Sequence, residues 1–351
     1  MSGCSPLIYG GAGYSGRLIV QRAVERGLRP IVAGRDPRAI AAVAAPFGLE
    51  WRVARVDDPA ALREMLKSVS VTVNAAGPFS STADPMIQAC LDTGSHYLDI
   101  TGEATTIEAT RKWHRAAFEK GVMLMPAAGF DVVASDCLAA RVARRLPAAT
   151  LLRVGFDKSD AMSIGSLKTT LEMGGKGVLV RRGGKLGRVT PGSLTHHFDY
   201  GNGPQISCAV NLGDVSSAFY STGISNIEAY MRATPQVWGA TSANRYWGSL
   251  LGMPSWQAFM KAQSRRFSSD PTPEERNRGW GVLVAEASES QGGCERSRMR
   301  TCDVYWYTAL SVVGVVEKVL GGNFDPGFKT PSLVYGPDFA FSFGGASLED
   351  L

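Results

Sequence analysis

Three glycines near the start of the chain are spaced for binding a phosphate group. The segment IYGGAGYSGR follows an apolar run and opens a helical pattern. In such a segment Gly10 permits a tight turn, Gly13 lets a pyrophosphate approach the backbone, and Gly16 allows close helix packing. The N–H groups at the helix start, together with the helix dipole, would hold the phosphates. The predicted dinucleotide contacts in this turn are Gly10, Gly13, Tyr14, Ser15 and Gly16.

The end of the second predicted strand indicates which dinucleotide binds. A site for NAD usually has an Asp or Glu here, which accepts hydrogen bonds from the ribose hydroxyls. This strand ends instead in Gly34 and Arg35, and Asp36 reads as the cap of the next helix. A guanidinium can clamp a 2′-phosphate and stack on adenine, although an ordinary exposed arginine is the alternative. We therefore predict NADP(H) as the cofactor, with Gly34 and Arg35 among its contacts.

Two further turns at strand ends are suited to holding the rest of the dinucleotide. NAAGPF ends the fourth strand, and its small residues and proline fit a wall beside the ribose and nicotinamide. An ordinary strand-to-helix turn is the alternative. After the third strand, Asp57 is placed to flank the adenine, whereas Asp58 before Pro59 is typical of a helix N-cap. The predicted contacts are Asp57, Ala76, Gly77, Pro78 and Phe79.

The segments DITGE and GFDVV contain candidates for the chemistry. Reduction of a polarised double bond by a nicotinamide also needs a proton donor or an electrostatic stabiliser. Asp131 follows a strand and starts a helix, so it is a candidate for orienting substrate or nicotinamide, with a helix-capping turn as the alternative. Glu103 is equally suited to capping its helix. The predicted cofactor contacts here are Thr101, Gly102, Glu103, Gly129 and Phe130.

The second half of the chain offers hydrogen-bond donors without a recognisable catalytic set. LTHHFDYG places His196 and His197 on opposite faces of a strand, so that one can reach a cleft. Tyr220 lies near a predicted turn in FYSTG and is a candidate donor to a substrate carbonyl. We take Asp131, Tyr220 and His197 as the catalytic candidates. Because no third ligand residue stands at metal spacing, we predict no metal.

These candidates need elements that bring strand ends together. In the first part of the chain short apolar runs alternate with helical patterns, which predicts a parallel, doubly wound sheet. The later text is Gly-rich and strand-like up to FYSTG, which indicates an antiparallel sheet with hairpins. SSDPTPEERNRG reads as an exposed loop. Tryptophans and tyrosines in the helical segments that precede this loop indicate either a bulky apolar substrate or ordinary core.

Composition limits the class of protein. The chain has 351 residues, 44% of them apolar, and a formal net charge of +5, so a globular protein of two domains is expected. No basic tract with interleaved aromatics predicts nucleic-acid binding. Six cysteines lack metal or disulfide spacing. The N-terminus does not resemble a signal peptide and no apolar stretch is long enough for a membrane span, so we expect a cytoplasmic protein.

Several of these segments occur in the order and spacing of a known family. YGGAGYSGRLI, AGR, NAAGPF, ACLDTGSHYLDITGE and GFDVVASDCLA resemble the saccharopine dehydrogenase-like oxidoreductases, and the branch with trans-acting enoyl reductases most of all. GDVSSAFYSTGISNIEAY and GFKTPSLVYG extend the resemblance over nearly the whole chain. One departure is Ala134, where this family often has proline. That change removes a rigid turn but no reactive group.

The resemblance implies an architecture and a reaction class. It implies an α/β fold: a doubly wound Rossmann domain with a second α+β domain on a mostly antiparallel sheet, which also pairs subunits into a homodimer. We expect residues 1–148 to bind NADP(H), 149–303 to bind substrate and dimerise, and 304–351 to pack back on the Rossmann domain. The expected activity is NADP(H)-dependent reduction of a C=C or C=N bond in a small-molecule or carrier-bound substrate. The alternative is an NADP(H)-sensing regulator without turnover.

Overall fold

A computed structural model describes residues 5–159, 162–267 and 269–351. Cys4 of the sequence lies outside the described residues. The strands are β1 (Ser5–Tyr9), β2 (Ile31–Gly34), β3 (Trp51–Val53), β4 (Val69–Asn74), β5 (His96–Asp99), β6 (Met123–Met125), β7 (Leu151–Lys158), β8 (Val178–Arg182), β9 (Lys185–Val189), β10 (Thr195–Asp199), β11 (Pro204–Ala209), β12 (Asn226–Arg232), β13 (Trp280–Ser288), β14 (Cys294–Cys302), β15 (Gly327–Phe328) and β16 (Ser347–Asp350).

Helices alternate with these strands. They are α1 (Tyr14–Glu25), α2 (Pro37–Ala44), α3 (Pro59–Met65), α4 (Phe79–Thr93), α5 (Ala104–Arg111), α6 (His114–Glu119), α7 (Phe130–Arg145), α8 (Ile164–Glu172), α9 (Asp214–Thr222), α10 (Pro235–Leu251), α11 (Pro254–Phe267), α12 (Pro273–Arg278), α13 (Val304–Leu320) and α14 (Pro331–Tyr335). Short 3₁₀ turns span Ala45–Phe47 and Phe339–Ser342.

The chain divides into two compact units, and the first comprises Met1–Val133 and Tyr305–Val334. Its sheet is parallel throughout, in the order β15-β6-β5-β4-β1-β2-β3. The chain runs outward from β1 through β2 to β3, then returns to pair β4 with the other side of β1. The strand order therefore reverses between β1 and β4, which is where ligands bind in open parallel sheets. The predicted doubly wound sheet is confirmed.

Local signals start the helices of this unit. The carboxylate of Asp36 accepts hydrogen bonds from the N–H groups of Arg38 and Ala39, at 3.0 and 3.2 Å. Asp58 caps α3 in the same way, so both predicted N-caps are confirmed. In each case a proline occupies the first helical position, where its missing N–H costs nothing. The segment TTIEATRKWHRAAFEKG contains two helices, α5 and α6, rather than one continuous helix.

The second unit comprises Ala134–Val304 and Tyr335–Leu351. Its sheet has the order β10-β11-β12-β7-β13-β14-β16, and β8 joins β12 to β9. Among the described strands of this second sheet only β12 and β7 pair in parallel, so the sheet is mostly antiparallel as predicted. One core cluster contains Val178, Phe198, Tyr200, Ala209, Tyr230, Val282 and Val284.

Two predictions for the second unit are wrong. The stretch predicted to be strand-like, which ends in FYSTG, contains α9. The small buried residues of this helix pack closely, and its C-terminus is capped by Gly223 in the left-handed conformation. The predicted loop contains α12. A capping box starts this short helix, because Thr272 and Glu275 exchange hydrogen bonds between side chain and backbone.

Candidate functional site

The first glycine turn is packed so tightly that side chains do not fit. Gly10 has φ +81°, and a Cβ there would lie 2.8 Å from the backbone of Ala75 and Ala76 after β4. A Cβ at Gly16 would lie 2.2 Å from the carbonyl oxygen of Gly10. The N–H of Gly10 also donates to the carbonyl of Ala33 at 2.8 Å. The turn is thereby fixed at the point where the strand order reverses.

Gly13 differs from its two neighbours in the motif. A Cβ there would have only the carbonyl oxygen of Gly10, at 3.2 Å, within 4 Å among the described non-adjacent atoms. Gly13 is also the N-cap of α1, and no side chain caps that end of the helix. Because Gly13 has no side chain, the space beside its backbone at the start of α1 is open, whereas Gly10 and Gly16 are packed against other backbone atoms. This space, at a helix N-terminus, suits a phosphate group.

Charged residues gather near the hydroxyl of Tyr9, which donates to the carbonyl of Ala54 at 3.1 Å. Burial raises the pKa of Tyr9, while the positive charges of Arg35 and Arg55 oppose the rise and Asp57 adds to it. Arg55 donates two hydrogen bonds to Asp57, at 2.9 and 2.8 Å, and this contact lowers the pKa of Asp57. Arg35 itself is exposed. Two guanidinium groups therefore lie at this corner.

Sequence reasoning did not select Arg55. A usable signal was present, because β2 and β3 are consecutive parallel strands and residues that follow them meet at one edge. The position at the end of β2 that distinguishes NAD from NADP sites selects Arg35 alone. The role predicted for Asp57 stays a prediction, and the structure shows that its carboxylate is engaged by Arg55.

Asn74 shapes the turn after β4. Its side-chain oxygen accepts a hydrogen bond from the N–H of Ala76 at 3.1 Å, and its amide donates to Thr82 at 3.1 Å. The hydroxyl of Thr82 donates to the carbonyl of Ala76 at 2.7 Å. The N–H of Phe79 donates to Glu103 at 3.3 Å, which joins this turn to the one after β5. The predicted segments NAAGPF and DITGE are thus linked directly.

Asp99 organises the next two strand ends. Its carboxylate is fully buried and accepts hydrogen bonds from the N–H groups of Thr101 and Ala127, at 2.9 and 2.8 Å, and from the Tyr97 hydroxyl at 2.7 Å. Burial raises its pKa to about 6, although all three donors act in the opposite direction. Ala127 has φ +58°, a conformation that is costly for a residue with a Cβ. Asp99 therefore holds an unfavourable backbone in place.

The segments DITGE and GFDVV meet at Gly102. A Cβ at Gly102 would lie 2.8 Å from a carboxylate oxygen of Asp131, in the first turn of α7. The N–H of buried Phe130 donates to the hydroxyl of Thr308 at 3.1 Å. Thr308 also lies against Gly129, where a Cβ would be 3.0 Å from its methyl group. Sequence reasoning missed Thr308, since nothing local in α13 distinguishes it from other helical residues.

The remaining catalytic candidates lie in the second unit. Tyr220 lies in the last part of α9, rather than at a turn, and its ring contacts that of Phe219. His197 is exposed on β10. His196, on the opposite face as predicted, forms a 2.7 Å contact with Glu286. The catalytic roles of Asp131, Tyr220 and His197 stay predictions.

The cysteines and histidines outside the candidate site show no sign of a chemical role in the described residues. Within the described ranges no group of three or more His, Cys, Asp or Glu side chains could hold a metal ion. Cys90 and Cys137 are buried, and burial raises the pKa of Cys90 to about 12. His96 is the first residue of β5 and accepts a hydrogen bond from the N–H of Met123. It therefore lies away from the carboxyl ends of the strands, where the candidate site is. No helix in the described part of the chain is long and apolar enough to cross a membrane.

Comparisons with known proteins match the first unit most clearly. Residues 7–125 match the family model described as saccharopine dehydrogenase NADP binding domain. A trans-acting enoyl reductase of Mycobacterium ulcerans is 33% identical over 138 residues, which cover 37% of this chain and 33% of that protein. A saccharopine dehydrogenase-like oxidoreductase of Homo sapiens is 27% identical over 150 residues, 37% of this chain and 35% of the relative. These matches confirm the resemblance to that family over the part of the chain that they cover.

One solved structure is similar along the whole chain. The apo saccharopine dehydrogenase (L-Glu forming) from Saccharomyces cerevisiae aligns with a TM-score of 0.63, covering 99% of this chain and 100% of that one, at 13% identity. At this identity the likeness supports the predicted two-part fold. The chain covers about a third of the length of the two curated relatives.

Proposed function

We propose that this chain, whose residues 7–125 match the saccharopine dehydrogenase NADP binding domain model, is an NADP(H)-dependent oxidoreductase that reduces a polarised double bond. The observation that carries the proposal is the single edge at which four motifs are joined. The glycine turn contacts the turn after β4, Glu103 links that turn to DITGE, and Gly102 touches Asp131. Such an edge is where parallel sheets place a ligand.

The residues fit a dinucleotide with a 2′-phosphate. Gly13 and the following N–H groups of α1 would hold the pyrophosphate, because the glycine leaves room for it. Arg35 and Arg55 would bind the 2′-phosphate with charge-assisted hydrogen bonds. Arg55 would exchange its contact with Asp57 for the phosphate, and Asp57 would then lie beside the adenine. The turns organised by Asn74 and Asp99 would line the ribose and nicotinamide.

Bound NADPH would supply a hydride, and the chain's own residues would position the acceptor and provide a proton. Asp131 is our candidate for orienting substrate or nicotinamide, because it stands in the first turn of α7 against Gly102. Tyr220 and His197 are our candidate donors from the second unit. The matched enoyl reductase supports a C=C bond as the target, while a C=N bond rests on the family resemblance.

The experiment for the proposed function is an NADPH oxidation assay of the full chain with a panel of enones and cyclic imines. Oxidation that depends on one of these substrates supports the reductase, and the substrate class distinguishes C=C from C=N reduction. Tight NADPH binding without turnover by any member of a broad panel favours the sensing regulator instead. Undetectable binding of both NADPH and NADH overturns the proposal.

Arg35→Asp tests the assignment of the cofactor. We expect NADPH affinity to fall roughly 10- to 100-fold, because a charge-assisted contact is replaced by repulsion, with little change for NADH. Arg38→Asp is the matched control, since Arg38 is exposed three residues later and should leave both affinities unchanged. Fluorescence titration measures the six dissociation constants, for wild type and both variants with each cofactor. Equal loss for NADPH and NADH would remove Arg35 from the 2′-phosphate site.

Two further proposals rest on the sequence and the family resemblance. The protein is a homodimer paired through the sheet of the second unit, and it acts in the cytoplasm on a small-molecule or carrier-bound substrate. Light scattering of the purified chain tests the first of these proposals. Fractionation of the source cells tests the second.

A further inference from the structure

Helices α10 and α11 expose large apolar side chains. Tyr246 is 75% exposed and Trp247 is 64% exposed, and four more side chains of this kind lie on the same two helices or their connection. A globular protein normally buries such residues, and a cluster of them marks an interaction site. We call the set the aromatic surface: Trp238, Tyr246, Trp247, Leu250, Met253 and Phe259.

The aromatic surface is exposed because of how its helix is held. None of the side chains of α10 is buried. Its polar side is fixed against the loop that follows α8, where Asn244 accepts a hydrogen bond from the N–H of Gly175 at 2.7 Å. A Cβ at Gly175 would lie 2.3 Å from the carbonyl oxygen of Gly248, so loop and helix are in close contact. The apolar residues are therefore left on the outside of a helix that is already packed.

The charged residues that line the depression beside the aromatic surface have one sign. A shallow depression beside Tyr246 is lined by Lys176, Arg188 and Arg245, all of them exposed. The sequence of residues 235–267 contains basic residues and no Asp or Glu. Two copies of such a surface would repel each other, whereas an anionic surface would be attracted. The charge pattern therefore selects a negatively charged partner.

We propose that the aromatic surface docks this protein on a lipid surface rich in anionic headgroups. Tyrosine and tryptophan suit the boundary between headgroups and acyl chains, because each combines an apolar ring with a polar atom. The basic residues would lie among the headgroups, where each strengthens binding. In this proposal α10 and α11 lie on the membrane surface with their apolar side chains at the headgroup boundary. This proposal does not depend on turnover of NADPH, and its test does not use activity.

The test measures co-sedimentation of the full chain with vesicles. We expect binding to vesicles of phosphatidylcholine mixed with phosphatidylserine, weaker binding to phosphatidylcholine alone, and loss of the difference at high salt. The Tyr246→Ser, Trp247→Ser double variant should bind the mixed vesicles roughly tenfold more weakly. Phe118→Ser is the matched control, because Phe118 is also exposed, at 61%, and lies in the first unit.

A second pair of variants tests the charges. Lys176→Ser with Arg245→Ser should weaken binding to the mixed vesicles roughly tenfold and leave binding to neutral vesicles unchanged. Lys112→Ser with Arg144→Ser removes the same charge from exposed positions elsewhere and should have little effect. Circular dichroism melts establish that each variant is folded.

Three results would overturn the proposal. The first is absence of binding to mixed vesicles at low salt. The second is wild-type binding by the folded Tyr246→Ser, Trp247→Ser variant. The third is a self-association in analytical ultracentrifugation that this variant abolishes, without vesicle binding, which would assign the surface to a second copy of the chain.

Discussion

Asp99 in the first unit and Glu228 in the second are both buried carboxylates, yet their pKa values move in opposite directions. Asp99 accepts hydrogen bonds from two backbone N–H groups and a tyrosine, and burial raises its pKa to about 6. Burial also acts to raise the pKa of Glu228. There the Tyr230 hydroxyl and the charges of Arg182 and Arg153 outweigh burial and lower it.

The difference reflects what each carboxylate holds. Asp99 fixes backbone at the ends of β5 and β6, including the left-handed Ala127, and thereby shapes turns of the candidate site. Glu228 joins neighbouring strands: Arg153 on β7 donates to it at 3.0 Å, and Arg182 on β8 contacts its other oxygen. Burial thus favours the neutral form of a carboxyl group that N–H and hydroxyl donors hold. A carboxyl group held by cations is instead stabilised in its ionised form.

The largest expected effect is the pH dependence caused by Asp99. Its folded pKa, about 6, lies above the ordinary value of 3.8, so the folded state binds the proton more tightly. This group therefore adds stability at low pH, and the contribution is lost as pH rises through about 6. The difference in unfolding free energy between wild type and Asp99→Asn should fall by roughly 3 kcal/mol from about pH 3 to about pH 7.

Urea unfolding at a series of pH values measures this difference. Tyr97→Phe sharpens the experiment, because the Tyr97 hydroxyl lowers the pKa of Asp99 and its loss should move the transition to higher pH. A difference between wild type and Asp99→Asn that stays constant with pH would contradict the account. It would mean that folding leaves the pKa of Asp99 unchanged, whereas a difference that rises with pH would mean that Asp99 pairs with a cation as Glu228 does.

The next largest effect should be a loss of stability in Glu228→Gln. At neutral pH the charge of Glu228 stabilises the folded state, whereas that of Asp99 does not. The substitution keeps the shape but removes the charge that two arginines require, so we expect a loss of about 2 kcal/mol. This figure is less than for a fully buried pair because both arginines are partly exposed. Glu349→Gln is the control, since its contact with Arg298 is exposed and should cost below about 0.5 kcal/mol. A loss no larger than the control's would remove the contrast with Asp99.

The same contrast explains what could be predicted from the sequence. The first sheet, its helix caps and the glycine turn depend on signals within a few residues, such as Asp before Pro and glycines three apart. These local signals therefore predict which turns form the candidate site. Asp99 combines local contacts to Tyr97 and Thr101 with a distant one to Ala127. Nothing in the sequence indicates the left-handed backbone of Ala127.

The second unit was harder to predict because its ties are distant in sequence. Glu228 and Arg153 are neighbours only because β12 pairs with β7 in one register. Arg153 also stands opposite Glu286 on β13 through a second register. No spacing in the chain encodes these pairings. For the same reason α9 was read as strand: its small residues suit either structure, and packing decides between them.

The smallest expected effect compares the loss of one arginine around Glu228 with the loss of the Glu228 charge itself. Arg153→Met removes one cation, but Glu228 keeps its contact with Arg182 and the hydroxyl of Tyr230 at 2.5 Å. The methionine also retains an apolar stem where the arginine chain packed. We therefore expect a loss of about 1 kcal/mol, clearly below that of Glu228→Gln. Urea unfolding at neutral pH of the two single variants and the double variant measures this ordering. If Arg153→Met costs as much as Glu228→Gln, the strands are held by one pair rather than by a shared carboxylate, and a double variant no worse than either single variant would identify that pair.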